Sequence, residues 1–408
     1  MNNKYYSVLE QILLSGATFL INLYLLYSLP KADYGVFAIF YSYLILALGV
    51  QIAVISTPMV VEFSSLENKT KVLIASLRLI IKLIIFISLI IYLVSYLIYG
   101  VDGVLLGLSF SFAVAATLLR EFARTKYIIE NDLFKSLFIS SVFTVLLFSL
   151  FVITYFLEIK VTLIYAFLFI GLASFLVSFD LIKLYRGKNS KKIQKIVLRR
   201  LFPHSQWALP GVFTIWIQNN AFLTIVSFRG GVELTAEIAA ARLFIMPYIS
   251  AFSGYLRPKV AEFSINKSKA CLLYPAVKIA MQQFALGGFI ATIFYFANKS
   301  DLLNNNYFNG FFADYSNVMG LAVFWALFAG ISMGRGVLTS LVQASKLFKL
   351  LFLINLVSVA VVLFGLLFSP VSTLAHMSIV FLMVGEALIF VLVILYYIYF
   401  GERCVSRH

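Results

Sequence analysis

Charge is scarce in this chain: Asp, Glu, Lys and Arg make up 12% of its 408 residues, against about 25% in an ordinary soluble domain. Acids are scarcer still, with 17 Asp and Glu against 32 Lys and Arg. The two cysteines, Cys271 and Cys404, stand far apart, outside any CxxC pair and away from the three scattered histidines, His204, His376 and His408. That excludes a disulfide framework and leaves no metal-ligand set. There is no Walker loop, no GxSxG, no HExxH and no loop-borne acidic pair, so no cofactor or metal chemistry is implied.

What the chain has is apolar length. Hydrophobic residues make up 62% of it. Apolar runs bounded by charges or turn residues fall at 5–29, 36–61, 72–99, 104–126, 133–157, 161–182, 205–227, 234–256, 273–297, 317–341, 350–369 and 372–400. A membrane span needs about 20 such residues. The expectation is an all-α polytopic membrane protein of about twelve helices, with no room for a separate soluble head. The run after Lys4 has no A-x-A cleavage site and is too long for a signal h-region, so it reads as a retained first helix.

The net charge of +15 would suggest nucleic acid in a soluble protein. Along a twelve-span topology, however, nearly all of the 32 bases fall on one side, and the other side keeps only Lys31, Lys160, Arg229 and Lys299. The excess is therefore an orientation signal that places both termini in the cytoplasm, and no nucleic-acid partner is expected. The stretch 183–200 has eight bases and no acid. It divides the chain into a bundle 1–182, a basic cytoplasmic linker 183–200 and a bundle 201–408, and the linker suits contact with anionic membrane lipid.

The halves repeat each other. Pro58-M-V-V-E-F-Ser64 and a following N-K-T-K return as Pro258-K-V-A-E-F-Ser264 and N-K-S-K. Leu133-Phe134-Lys135 returns as Leu347-Phe348-Lys349, each preceded by an arginine, Arg120 or Arg335. A duplicated unit of six helices keeps its orientation, which predicts two parallel six-helix bundles around a central cavity, as in an alternating-access carrier. Small residues at every fourth position, Gly103 to Ala115 and Ala322 to Gly334, predict matching close-contact stripes.

Polar groups inside the spans are the candidates for function. Ser7, Gln11, Ser15, Thr18 and Asn22 share one face of the first helix and face either a neighbour or a water-filled cavity. Glu10 beside them is either an interfacial carboxylate or an ion-coupling group. Arg242, after three alanines, needs a counter-charge, either in an ion pair with Glu237 or Glu233 or on an anionic substrate. Glu386, mid-span, is protonated, paired or ion-coupling. Gln218, Asn219 and Asn220 form an amide cluster suited to sugar hydroxyls or to helix contacts. Arg78, Lys82 and Lys278 either snorkel to the interface or rim a positive cavity.

The span 5–29, the turn Pro30-K-A-Asp33-Tyr34-Gly35-V-Phe37, the Pro58 loop and the six-plus-six layout resemble the polysaccharide repeat-unit flippases of the O-antigen or capsule type. These belong to the superfamily that also holds multidrug extruders. The resemblance implies a bacterial inner-membrane protein that moves an undecaprenyl-pyrophosphate-linked oligosaccharide from the cytoplasmic to the periplasmic leaflet, with a proton or sodium ion as coupling ion. It also implies a cationic cavity that Arg242 fits by position, and partners in the polysaccharide polymerase and chain-length regulator of the same pathway. A multidrug extruder is the alternative within the superfamily, although the first bundle offers only Glu10 as an acid for organic cations. A membrane polysaccharide polymerase is the alternative among enzymes, but the loop 298–316 carries one base and no histidine.

Overall fold

The structure is a computed structural model that describes residues 3–63, 69–100, 103–130, 132–185, 191–252, 256, 263, 272–299, 315, 317–345 and 347–405. The described residues are helical throughout, as the apolar runs predict. In order the helices are α1 (Asn3–Ser28), α2 (Lys31–Gln51), α3 (Thr57–Phe63), α4 (Lys69–Tyr99), α5 (Gly103–Ile129), α6 (Leu133–Phe156), α7 (Leu163–Leu176), α8 (Asp180–Tyr185), α9 (Lys191–Trp216), α10 (Phe222–Gly230) and α11 (Val232–Leu243). There follow α12 (Met246–Phe252), α13 (Leu273–Lys299), α14 (Val318–Ala344), α15 (Phe348–Phe368) and α16 (Leu374–Val405). Five-residue π turns, Ile52–Ser56 and Ile217–Ala221, join α2 to α3 and α9 to α10.

Among the described residues ten helices are long and apolar enough to span a bilayer, and the pair α11 and α12, bent by 52°, brings the number to eleven if it is counted as one span. The twelfth expected span, 161–182, is instead the 14-residue α7, a turn and then α8. Local signals set those limits. Thr162 caps α7 by accepting from the Tyr165 amide, and Asp180 opens α8. The chain is thus a multi-pass membrane protein. Of the basic stretch 183–200, residues 191–200 open α9, because Lys, Arg, Gln and Leu are good helix formers and no Gly or Pro interrupts them.

The chain divides into two compact units. Unit 1 is Met1–Asp33 with Phe40–Val212, and unit 2 is Tyr34–Ile39 with Phe213–His408. In unit 1, α5 packs on α4 and α7, and α1 lies along α6. Its core includes Met59, Leu77, Ile80, Phe122, Ile139 and Leu201. In unit 2, α14 packs on α13 and α16, with Val337, Leu338, Leu341, Ile389 and Val393 inside. The predicted stripe explains the closeness of α13 and α14, since a Cβ on Gly287 would lie 2.6 Å from the Gly330 Cα.

Within α2, residues Tyr34–Ile39 belong to unit 2. Tyr34 and Phe37 are buried there, and Gly35 lies so close to α11 that a Cβ would come within 2.1 Å of the Val232 carbonyl oxygen. This accounts for the glycine of the Pro30 to Phe37 turn. The Pro58 segment forms α3, whereas its repeat at Pro258 to Ser264, apart from Phe263, lies outside the described residues.

Candidate functional site

Two charged centres are built inside the helices, one in each unit. In unit 2, Glu386 of α16 is wholly buried. Arg335 of α14 grips it with two donors, Nε to Oε2 at 2.5 Å and Nη2 to Oε1 at 3.3 Å, and Gln218 Nε2 donates to Oε1 at 2.8 Å. Of the states expected for Glu386, the structure shows the paired one.

Arg242 lies in the same unit on α11 and is half-buried. Its Nη1 donates to the Asn219 carbonyl at 3.5 Å and to Asn220 Oδ1 at 3.3 Å, and its guanidinium stands 5.4 Å from the Trp325 ring centre. Trp325 is fixed in turn by its Nε1 donating to the Ile238 carbonyl. These partners are neutral, so the alternative of an ion pair with Glu237 or Glu233 is not what the structure shows. Both sets of partners come from the π turn, in which Gln218 serves Glu386 and Asn220 serves Arg242.

In unit 1 the centre is Glu10, which is 5% exposed. Its Oε1 accepts from Arg124 Nε at 2.7 Å, Ser136 Oγ at 2.9 Å and Ser140 Oγ at 2.8 Å, while Arg124 Nη1 also pairs with Glu121 at 2.6 Å. Glu10 is thus turned into unit 1 and paired there rather than reaching out to water. The polar stripe on α1 bonds mainly along its own helix: Gln11 to Ser15, Thr18 to the Leu14 carbonyl and Asn22 to the Thr18 carbonyl. Gln11, Ser15 and Thr18 are half-buried and Asn22 is buried, whereas the side chain of Ser7 lies outside the described residues. Thr18 also bonds to Tyr41 of α2.

The structure thus joins Gln218 to Glu386, and Asn219 and Asn220 to Arg242. The other predicted cations are placed as follows. Arg78 stands 5.9 Å over the Tyr185 ring in unit 1, and Lys82 and Lys278 are exposed.

Sequence reasoning missed Arg120, Arg124 and Arg335, which the charge census assigned to the cytoplasmic side. The signal was present, because all three fall inside apolar runs. Helices α5 and α14 continue past the expected ends to Ile129 and Ala344, which carries these arginines deeper.

This helical architecture is found in solved transporters. The inward-facing conformation of a multidrug resistance MATE family transporter of the MOP superfamily superposes with a TM-score of 0.61 at 16% identity, covering 99% of this chain and 95% of that one. The fold is that of the MATE transporters. An outward-facing conformation of such a transporter gives a TM-score of 0.61 at 15% identity, over 99% of this chain and 94% of that one. A eukaryotic MATE transporter gives 0.58 at 13% identity, over 99% and 98%. No protein-family model and no curated protein sequence matches the chain.

Proposed function

We propose that the protein is an alternating-access secondary transporter whose substrate carries an anionic group. The observation that carries this reading is the commitment of charge. Among the described residues, the membrane-embedded acids Glu10 and Glu386 are each held by an arginine, whereas Arg242 has only neutral partners. At Glu10 and Glu386 an organic cation finds no free carboxylate; an oxyanion finds a guanidinium already held in place by Trp325.

Within that class the substrate proposed is an undecaprenyl-pyrophosphate-linked oligosaccharide moved from the cytoplasmic to the periplasmic leaflet of a bacterial inner membrane. Arg242 meets the pyrophosphate, with Asn219 and Asn220 of the same unit beside it. No bond is broken. Two states expose one site alternately, and a coupling ion biases them. A proton or sodium ion on Glu386 would release Arg335 and Gln218 together, and Gln218 shares its π turn with the partners of Arg242.

The fold comparisons favour a second reading, a multidrug extruder, since the first of the solved neighbours is a multidrug resistance transporter. The polymerase alternative has no such support. Deleting the gene separates the readings. The flippase reading expects lipid-linked repeat units trapped on the cytoplasmic face, with Arg242→Ala failing to rescue export and Arg242→Lys rescuing part of it. Intact glycan together with new sensitivity to cationic drugs would establish the extruder. The expected orientation is checked by fusions after His408: a fluorescent protein should glow and alkaline phosphatase should stay inactive.

A further inference from the structure

The two units carry an arginine at the same place. Arg120 in α5 and Arg335 in α14 each stand nine residues before the end of a 27-residue helix. Arg335 is neutralised within its unit by Glu386. Arg120 is not. Its guanidinium stands over Phe143, 3.7 Å from the ring centre, and its Nε and Nη1 are enclosed with no hydrogen-bond acceptor. An aromatic face attracts the charge but accepts nothing from the N–H edge.

The acids of unit 1 near Arg120 are already used. Glu10 is taken by Arg124, Ser136 and Ser140, and Glu121 by Arg124. Beside Arg120 lies Tyr41, itself bonded to Thr18 of the polar stripe. The residue keeps accessible surface, being half-buried as a whole. A cation with open donors at this depth is expensive unless something anionic visits it.

We propose that Arg120 is an anion-binding site of unit 1, at which an oxyanion of a ligand, carboxylate or phosphate, takes the part that Glu386 plays for Arg335. The proposal rests on the transporter reading above, and the site lies within unit 1, with the Tyr41 and Thr18 hydroxyls beside it.

The test is the thermal midpoint of purified full-length protein in neutral detergent, titrated with inorganic pyrophosphate against potassium chloride of matched ionic strength. A second titration uses phosphatidylglycerol in the micelles. The expected result is a saturable rise with one of the probes, weakened about tenfold or more in Arg120→Gln, partly kept in Arg120→Lys and unchanged in Lys299→Gln. A pyrophosphate response points to a transported headgroup, and a response to phosphatidylglycerol alone points to a bilayer lipid. Phe143→Glu, which supplies unit 1 with an acid of its own, should fold and lose the response, and it serves if Arg120→Gln does not fold. A wild-type response retained in Arg120→Gln, or no response to either probe, overturns the site. Failure of the transport reading looks different: glycan export persists in the deletion strain while the Arg120-dependent shift remains.

Discussion

Glu386 receives its hydrogen bonds from two sides, Arg335 of α14 and Gln218 of the π turn, in a position that water does not reach. Breaking such a pair from one side strands a buried charge, typically at a cost of about 3–5 kcal/mol, whereas replacing both partners by apolar groups costs far less. Arg335→Ala should therefore lower thermal stability in detergent sharply, and Arg335→Met with Glu386→Leu should recover most of the loss and, on the proposed reading, abolish ion coupling. Equal stability of the single and double variants would contradict this account. Glu386→Gln keeps the shape and removes the carboxylate charge, so on the proposed ion-coupled reading its transport should no longer respond to collapse of the proton gradient. Of these residues, Glu386 and Arg242 were legible in the sequence because apolar neighbours isolate them. Arg335 was not, because a basic residue near a span end reads equally as an orientation signal, and the distinction depends on where α14 stops.

The π turn Ile217–Ala221 is the element that links the two centres of unit 2. It holds one residue more than an α-turn needs. Deleting Ile217 should let α9 and α10 run on as one α-helix and rotate Gln218 by about 100° away from Glu386. The expected outcome is a folded protein with little transport, whereas the same deletion near Lys195, before the membrane segment, should be tolerated. Gly35 is the second diagnostic position. A methyl group there meets the backbone carbonyl of Val232 rather than a movable side chain, so Gly35→Ala should cost about 1–3 kcal/mol, the usual penalty of overpacking. Scanning calorimetry in detergent would read it, with Gly16→Ala, which meets nothing within 4 Å, as the control. The stripes of small residues were visible as spacing alone. Neither π turn was, since Gln51 to Ser56 reads as ordinary helix and the amides Gln218 to Asn220 signal polar contacts rather than a widened turn.

At the scale of the whole chain, the apolar runs and the repeated Pro58 and Leu133 segments were enough to predict an all-helical membrane protein with two halves. The division within the chain was less legible: Tyr34–Ile39 belongs with the second unit although it opens a helix of the first, because packing on Val232 rather than chain order decides membership.

The short α7 has a consequence for the bilayer itself. Fourteen residues rise about 21 Å, against a hydrocarbon thickness of about 30 Å. Where α7 meets lipid, through exposed Leu168, Leu172 and Phe175, the membrane must thin locally or polar groups must sink toward it. Unit 1 thereby becomes sensitive to acyl-chain length. Reconstituted activity should be highest in thin bilayers and fall as the chains lengthen, so that the lipid around this protein acts as a tuning variable for a machine whose charged parts are fixed.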